Sequence, residues 1–288
     1  MTTVTHSDRQ LSLGLCAVGS PAADVQINLR QLVDRGALFV GNHSGGKDSQ
    51  AMAIKLKRLV PADQLIFIHS HLEGVEWEGT LDHIKNTIGD SPLIVTVAID
   101  NDGKTKTLEG MVRQRGMFPS PKNRQCTSDL KRGPIERELR RYLKQNPQYG
   151  GLLVNCMGLR AQESSGRASK QPLTLNRRNS KAGREWYDWL PIQDMLVGDV
   201  FRTIEAAEQE PHWAYSVGAS RLSCALCIMA SRRDLAISAL YNPKVYDRWT
   251  ALEREFDTTM LMPAKGQPRP FLDEIVPAEI AKMREQAA

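Results

Sequence analysis

A loop of small and charged residues separates a predicted buried strand from a predicted helix in the first quarter of the chain. Positions 44–49 read Ser-Gly-Gly-Lys-Asp-Ser, after the apolar run 37–40 and before a segment with apolar residues at helical spacing. Gly45 and Gly46 let backbone N–H groups approach a ligand closely, and the following helix presents its positive end to the same place. Lys47 adds a point charge. The pattern predicts a binding site for phosphate groups.

Apolar strands alternate with helices on both sides of this loop. Strands are predicted at positions 37–42, 64–69, 92–98 and 151–157, and helices at positions 24–35, 48–59, 80–88, 105–114 and 133–144. Strands that are apolar throughout are typical of a parallel sheet covered on both faces. The sequence therefore predicts an α/β fold with an open parallel sheet and helices on both of its faces.

The alternation weakens after Gly158. Positions 164–184 are polar and basic, which is typical of a mobile loop. Helices are predicted at 199–208, at 247–256 and near the end of the chain, so the C-terminal part is expected to be mainly helical. We predict three regions: an N-terminal arm over 1–24, a nucleotide-binding domain over 25–235 and a helical C-terminal extension over 236–288.

Cysteine content and charge indicate the expected compartment and partners. No apolar run approaches the roughly 20 residues that cross a bilayer, and the polar start lacks signal-peptide features. We therefore expect a cytoplasmic protein without a membrane partner, whose 5 cysteines serve metal binding or catalysis rather than disulfides. Residues 113–184 contain 17 Lys and Arg against 4 Asp and Glu. This segment suits a polyanionic partner or a phosphorylated small molecule, and equally a solvated basic helix face.

The loop at 44–49 resembles the PP-loop of the N-type ATP pyrophosphatases, whose motif it matches at all six positions. A Walker P-loop differs, because it has a glycine earlier in the motif and Ser or Thr after the lysine. The resemblance implies that the loop binds the β and γ phosphates of ATP while a nucleophile attacks the α phosphate. ATP and Mg²⁺ are then the expected cofactors, and Asp48 is expected to hold Mg²⁺ directly or through water.

Further blocks at 69–79, 124–134, 158–168 and 216–228 follow in an order that resembles the phosphoadenosine phosphosulfate (PAPS) reductase family. This family is the sulfonucleotide branch of the PP-loop superfamily, and the resemblance extends over about residues 30–235. It implies the adenine nucleotide alpha hydrolase-like fold.

Candidate site residues follow from these blocks and from the chemistry of their side chains. The expected nucleotide-binding residues are Ser44, Gly45, Gly46, Lys47, Asp48, Ser49 and His69. Basic side chains at strand ends suit phosphate or sulfate oxygens, and a carboxylate can orient them. The expected substrate-binding residues are Arg124, Lys131, Arg160, Glu163, Arg167 and Arg221, and the expected catalytic residues are Lys47, Asp48 and Arg160. The histidines show no metal-binding spacing.

Cys224 and Cys227 form a C-x-x-C pair, which binds one metal or cluster or cycles as a dithiol. In iron–sulfur members of the family, a cysteine pair in the 124–134 block and the later C-x-x-C hold a [4Fe–4S] cluster. Here the earlier block has Cys126 alone, so the fourth ligand is Cys156, a non-protein group or nothing. Cys156 also reads as a buried apolar residue. Zinc and metal-free thiols remain alternatives to the cluster.

Two departures from sulfonucleotide reductases bear on function. Those enzymes usually lack the loop lysine, and they carry a catalytic cysteine in a C-terminal E-C-G-L-H tail, whereas here no cysteine follows Cys227. We therefore expect an ATP-dependent adenylating enzyme linked to sulfur transfer, similar to family members that act in DNA phosphorothioation or tRNA thiolation. DNA or tRNA would bind the 113–184 segment, and a cysteine desulfurase or thiol donor would be a further partner. The alternatives are a PAPS reductase that forms sulfite with a thiol from another molecule, and a nucleotide-binding regulator without turnover.

Overall fold

A six-stranded sheet forms the centre of the protein, in a computed structural model that describes residues 28–263 and 265–287. Its strands are β1 (Leu38–Asn42), β2 (Leu65–Ser70), β3 (Leu93–Thr96), β4 (Leu152–Met157), β5 (Leu173–Leu175) and β6 (Glu185–Trp189). They lie in the order β3-β2-β1-β4-β6-β5. The first five in this order run parallel, and β5 pairs antiparallel to β6 at the edge. The predicted arm over 1–24 lies outside the described residues.

Helices surround the sheet and form the C-terminal part of the chain. Those in the described residues are α1 (Leu29–Asp34), α2 (Lys47–Leu59), α3 (Thr80–Ile88), α4 (Leu108–Arg115), α5 (Gln125–Thr127), α6 (Gly133–Gln145), α7 (Ser165–Ala168), α8 (Val197–Glu205), α9 (Arg232–Tyr241), α10 (Pro243–Glu255) and α11 (Leu272–Ala287). One π-helical turn, Ser128–Arg132, joins α5 to α6. Such turns are rare and occur frequently at functional sites.

The sheet is buried on both faces, as its continuously apolar strands predict. In β1, Phe39 packs with Met52 of α2, whereas the neighbouring Leu38 and Val40 pack with Leu139 of α6. Because successive side chains of a strand point to opposite faces, one apolar strand contributes to two cores. Helices α1, α2 and α3 cover one face and α6 covers the other. The predicted open parallel sheet with helices on both faces is confirmed, except that its edge strand β5 is antiparallel.

The C-terminal part is helical, which confirms that expectation. Leu235 of α9, Trp249 of α10 and Val276 of α11 share one core with Val112 of α4 and with Leu226. The C-terminal helices therefore pack on the segment that carries the C-x-x-C pair, and the boundary at 235 stays a prediction. Within the described ranges, no helix combines the length and apolar character needed to span a membrane.

Residues 164–184 contain regular structure where the sequence predicts a mobile loop. The Ser164 side chain caps α7, and β5 then adds to the sheet with Thr174 opposite Asp188 of β6. The Asn176 side chain donates a hydrogen bond to Asp188 at 2.8 Å. An edge strand has one open side and needs few apolar residues, which explains why composition gave no strand signal. The next strand, β6, was also missed, although Trp186 within it is fully buried.

The strand order reverses beside β1. The chain continues from β1 to β2 and β3 on one side, and β4 and β6 lie on the other. Open parallel sheets bind ligands outside the carboxyl ends of their strands at such a switch point. Asn42 of β1 and Met157 of β4 are register partners at these ends, and both line a cleft of about 600 Å³. The cleft has the size of a small-molecule binding site.

Candidate active site

The loop between β1 and α2 folds into a compact turn at this cleft. Gly45 has φ +80°, in the left-handed region that favours glycine. A Cβ atom at Gly45 would lie 2.8 Å from Cγ2 of Thr80. The Ser44 N–H donates to Ser49 Oγ at 3.2 Å, and that hydroxyl donates to the Gly46 carbonyl at 2.8 Å. These hydrogen bonds hold the loop closed in front of α2.

Helix α2 begins at Lys47, and its N-cap residue, Gly46, has no side chain that could accept a hydrogen bond from the first turn. The N–H groups at a helix start without an N-cap side chain are suited to bind phosphate oxygens. The Lys47 N–H donates to the Tyr215 hydroxyl at 3.0 Å, and this hydroxyl also accepts the N–H of Leu222 at 3.2 Å. Burial raises the pKa of Tyr215 to about 12, so the phenol stays protonated. Tyr215 joins the loop to the C-x-x-C segment, and no local pattern in the sequence indicated it.

Lys47, Asp48 and Arg160, the three predicted catalytic residues, form one ion-pair network. Asp48 Oδ1 accepts a hydrogen bond from Arg160 Nε at 2.6 Å, and Asp48 Oδ2 lies 3.4 Å from Lys47 Nζ. Lys47 Nζ also donates to the Ser220 carbonyl at 3.2 Å. The side chains of Lys47 and Arg160 are only 5% and 6% exposed. Burying two cations is costly unless they are paired, so Asp48 holds both of them at the start of α2.

Arg160 reaches this network because the end of β4 passes close to α2. A Cβ atom at Gly158 would lie 3.0 Å from the Asp48 carbonyl oxygen, so glycine permits the approach. The Arg160 N–H donates to Glu163 Oε2 at 2.9 Å, and Glu163 also forms an ion pair with Arg167. The 158–168 segment thus carries a linked set of charges along the cleft.

The structure brings most of the other predicted site residues to the same cleft. Along its wall lie Ser44, Gly46, Lys47, Asp48, Ser49, His69, Lys131, Arg160, Glu163, Arg167 and Arg221. Gly45 is a buried residue of the same loop and faces Thr80. Arg124 does not line the cleft and is exposed at the start of α5. Its place in the sequence block did not determine its place in the fold.

His43, which the sequence did not single out, supports the loop from below. Burial lowers the pKa of His43 to about 3, and the neighbouring His83 and His69 add to the effect. The neutral ring accepts the N–H of Gly45 on Nδ1 at 3.1 Å and lies 3.2 Å from the Thr87 hydroxyl through Nε2. The Thr87 hydroxyl donates to a backbone carbonyl, so it accepts from Nε2–H. Both ring nitrogens are therefore satisfied without a charge.

Three cysteines gather around Lys131 at one end of the cleft. Lys131 lies on the π-helical turn, and its Nζ donates to Cys224 Sγ at 3.7 Å. The negative charge of thiolates at Cys224, Cys227 and Cys126 raises the pKa of Lys131, with Cys224 having the largest effect. Burial raises the pKa of Cys224 and Cys126, and Lys131 opposes this. The side chains of all three cysteines are half-buried.

Cys156 lies apart from the other three cysteines, which corrects the sequence-based prediction that it is a fourth cluster ligand. It is fully buried on β4 and packs in the core that contains Phe39 and Met52, whereas Cys126 and Cys224 pack against a different core. Its Sγ donates to the Val154 carbonyl at 3.6 Å. Burial raises the pKa of the Cys156 thiol well above its usual range, which keeps it neutral. Cys156 is a core residue of the sheet.

His69 occupies the carboxyl end of β2, where it lines the cleft. Its Nδ1 donates to the His43 carbonyl at 2.9 Å, which ties it to the residue before the loop. Its Nε2 and Nδ1 of His71 both face the carboxylate of Glu76. Sequence reasoning missed this group, because the contact of Glu76 with the two histidines depends on the fold of the loop after β2.

A parallel sheet with this loop at its switch point defines a nucleotide-binding α/β protein of the PP-loop class. The sequence model of the phosphoadenosine phosphosulfate reductase domain matches residues 39–230, which is more than half of the chain. The protein belongs to this family.

Two relatives among curated proteins are themselves uncharacterised. A protein of Methanocaldococcus jannaschii is 25% identical over 214 residues, which cover 74% of this chain and 47% of that protein. A 37.8 kDa protein from the gpa 5′ region of Escherichia phage 186 is 30% identical over 135 residues, or 47% of this chain and 36% of that protein. The chain thus spans half or less of the length of the relatives it matches.

Solved structures give distant similarities. The PAPS reductase of Candida auris, in a phosphate complex, has a TM-score of 0.45 at 12% identity and covers 65% of this chain and 80% of that one. The FMN adenylyltransferase of Candida glabrata, with FMN and an ATP analogue, has a TM-score of 0.41 at 13% identity over 66% of this chain and 55% of that one. The fold assignment rests on the sheet topology and on the family match.

Proposed function

We propose that this protein is an adenylating enzyme that cleaves ATP to AMP and pyrophosphate in a reaction linked to sulfur transfer. One observation carries the proposal. The intact Ser-Gly-Gly-Lys-Asp-Ser loop lies at the switch point of the sheet, in front of the N-terminus of α2, with Lys47 and Arg160 in the same cleft. PAPS, the substrate of the sulfonucleotide reductases, has no β and γ phosphates for such a loop to bind.

In the proposed reaction an acceptor oxygen attacks the α-phosphorus of ATP. The bond from the α-phosphorus to the bridging oxygen breaks, pyrophosphate leaves with the electron pair of that bond, and AMP remains on the acceptor. Negative charge grows on the departing pyrophosphate, and Lys47 together with the first turn of α2 is suited to stabilise it. Arg160, held by Asp48, is suited to contact the α-phosphate.

Mg²⁺ belongs to this proposal, with Asp48 as its ligand. Both carboxylate oxygens of Asp48 contact cationic groups, Lys47 Nζ and Arg160 Nε. Mg²⁺ keeps several water molecules when it binds to proteins. We therefore assign Asp48 a water-mediated contact, or a direct one that forms when bound phosphates draw Lys47 away.

We assign Cys126, Cys224 and Cys227 to an iron–sulfur cluster of the [4Fe–4S] type. A tetrahedral zinc ion with Zn–S bonds of about 2.3 Å would hold its sulfur ligands about 3.8 Å apart. In the described part of the chain, these three sulfur atoms do not all lie within 4.8 Å of one another. The wider arrangement suits a cluster better than one zinc ion, and Lys131 offsets the charge of the thiolates. The cluster would supply sulfur chemistry next to the nucleotide.

Pyrophosphate release tests the nucleotide part of the proposal. The purified protein would be incubated with Mg²⁺ and ATP labelled at the α phosphate, with and without DNA or tRNA. We expect pyrophosphate and label on the acceptor or in AMP. Formation of ADP and phosphate would contradict the proposed bond cleavage, and nucleotide binding without turnover for any acceptor would indicate a regulator.

The acceptor class that we propose is nucleic acid, with the basic 113–184 segment as its contact surface. Several arginines of this segment are exposed, including Arg124, Arg132 and Arg137. Others are engaged in ion pairs, for example Arg141 with Glu138. DNA or tRNA binding that weakens steeply with salt is expected. Salt-independent binding, or none, would remove nucleic acid from the proposal. Transfer of sulfur also needs a donor, for which we propose a cysteine desulfurase or a thiol compound.

A PAPS reductase is the second candidate, favoured by the thiol of Cys224 in the wall of the same cleft. The sulfur of PAPS would have to be reduced by two electrons from a thiol donor to give sulfite. Incubation with PAPS and reduced thioredoxin separates the candidates. Sulfite without any need for ATP favours the reductase, and dependence on ATP with release of pyrophosphate favours the adenylating enzyme.

A further inference from the structure

We infer that His69, His71 and Glu76 form a binding site for a divalent transition-metal ion of the zinc class, beside the nucleotide cleft. Each offers one ligand atom, and these atoms all lie within 4.8 Å of one another. No other group of three His, Cys, Asp or Glu residues in the described part of the chain meets this limit. The inference is independent of the proposed adenylation chemistry.

The donor atoms have the separations that a small metal ion requires. Oε2 of Glu76 lies 3.3 Å from His69 Nε2 and 2.8 Å from His71 Nδ1. Donors on a tetrahedral ion with bonds of about 2.0–2.1 Å are about 3.3 Å apart. The side chains are 4%, 38% and 16% exposed for His69, His71 and Glu76, so the site is sheltered but open on one side.

The hydrogen bond on the other side of the His69 ring indicates which nitrogen is available. Nδ1 lies 2.9 Å from the His43 carbonyl oxygen, which can only accept, so Nδ1 carries a proton. Nε2 therefore faces the Glu76 carboxylate, and either a proton or a metal ion between these two atoms makes their close approach favourable. Metal-ligating histidines almost always donate their other N–H to a carbonyl or carboxylate in this way.

The backbone holds the three side chains in place before any ion binds. His71 N–H donates to the Thr96 carbonyl at 2.9 Å, and Val75 accepts the N–H of Ala225 at 2.7 Å. Glu76 Oε1 accepts the N–H of Leu72 at 3.0 Å. The loop after β2 is therefore anchored both to β3 and to the C-x-x-C segment. Side chains that are held in this way lose little conformational entropy when an ion binds.

The ligand set selects the class of metal. Imidazole nitrogens suit Zn²⁺ and other late transition metals, whereas Mg²⁺ and Ca²⁺ prefer sites made of oxygen. Two histidines and one glutamate are three protein ligands, which leaves a coordination position for water or a substrate atom, as in catalytic zinc sites. His69 and Glu76 line the cleft, so this position is accessible from the nucleotide side.

Titration of the full chain with Co²⁺ and with Zn²⁺, in the absence of ATP, tests the site. Glu76→Gln removes the shared ligand, and Glu73→Gln is the matched control, since Glu73 is exposed in the same loop. We expect one ion per chain, weak cobalt d–d absorption without intense sulfur-to-cobalt charge transfer, and unchanged affinity in Glu73→Gln. Loss of even an outer contact to a metal ligand costs about 10- to 100-fold, so Glu76→Gln should lose more than about 100-fold.

The other outcomes overturn the inference. Intense sulfur-to-cobalt absorption that persists in Glu76→Gln would place the ion at the cysteines. Equal affinity in both glutamine variants would indicate adventitious binding, and no binding would leave a plain histidine–carboxylate cluster. If Glu76→Gln does not fold, His71→Ala carries the test, because His71 is partly exposed and its loss should be tolerated. Because ATP is absent throughout, failure of the adenylation proposal cannot produce any of these results.

Discussion

The two halves of the cleft differ in how the chain builds them. The phosphate half consists mainly of six consecutive residues, positions 44–49, to which the fold adds Arg160. The other half gathers His69, Glu76, Lys131 and Cys224 from segments far apart in the chain. A contiguous motif can be recognised without a fold, whereas a site made of scattered side chains cannot. Because the two halves use different side chains for binding, we expect a substitution in one half to leave ligand binding in the other half intact.

The largest expected effect is on the rate of pyrophosphate release, after a substitution in the phosphate half of the cleft. Lys47→Ala removes the cation at the start of α2 and should slow pyrophosphate release by roughly 100- to 1,000-fold. Iron content and Zn²⁺ affinity should not change. Lys55→Ala, on the same helix, is the control and should retain full activity. An equal loss of pyrophosphate release in both variants, or a loss of iron in Lys47→Ala, would contradict the distinction between the halves.

Next in size is the cost of changing the loop backbone. Gly45→Ala forces an L side chain into φ +80° and against Thr80, so the free energy of unfolding should fall by about 3 kcal/mol. Gly36→Ala shares the positive φ, at +72°, but has no atom within 4 Å and should cost only about 1 kcal/mol. Urea denaturation of both variants measures the difference. Equal costs would show that the loop is not held against Thr80.

His212, which lies outside both halves of the cleft, should make the free energy of unfolding depend on pH, with an effect of intermediate size. Burial, with help from His83, lowers the pKa of His212 to about 4, from its ordinary value of 6.5. Between these values the unfolded chain binds a proton that the folded chain does not, so stability is lost as the pH falls from 6.5 towards 4. From pH 7 to pH 5 this histidine should remove about 2 kcal/mol from the free energy of unfolding.

His212→Asn should remove that part of the pH dependence. An asparagine oxygen can accept the Ala214 N–H, which His212 Nδ1 accepts at 3.2 Å, but it cannot take up a proton. Urea midpoints at pH 7 and pH 5 provide the measurement. The same loss in the variant and in the wild type would assign the effect to another group.

The smallest expected effect concerns the cysteines. Cys224→Ser should lower the iron and sulfide content of anaerobically purified protein by about tenfold and leave ATP affinity unchanged. Cys156→Ala should keep the wild-type iron content, because Cys156 lies in the core of the sheet. Loss of iron in Cys156→Ala but not in Cys224→Ser would reverse the assignment of ligands.

The sequence predicted the sheet well where strands are apolar on both faces, as in β1, β2 and β4. It missed β5 because that strand lies within the polar segment 164–184. It missed β6 because the sequence of that short aromatic strand shows no clear alternation of apolar and polar residues. Strand alternation alone could have placed Cys156 in the core, since it shares a face with Val154 on β4. Tyr215 could not have been found in this way, because its role depends on hydrogen bonds to Lys47 and Leu222.

By itself the sequence determined the phosphate loop, because φ freedom at Gly45 and the start of a helix are properties of neighbouring residues. Only the tertiary structure decided which distant side chains face that loop. Glu76 meets His69 and His71 because its loop is anchored to β3 and to the C-x-x-C segment. Lys131 meets Cys224 across 93 positions of sequence, since packing of the C-x-x-C segment brings them to the same end of the cleft. Contacts of that range depend on the packing of the whole core, which no short motif records.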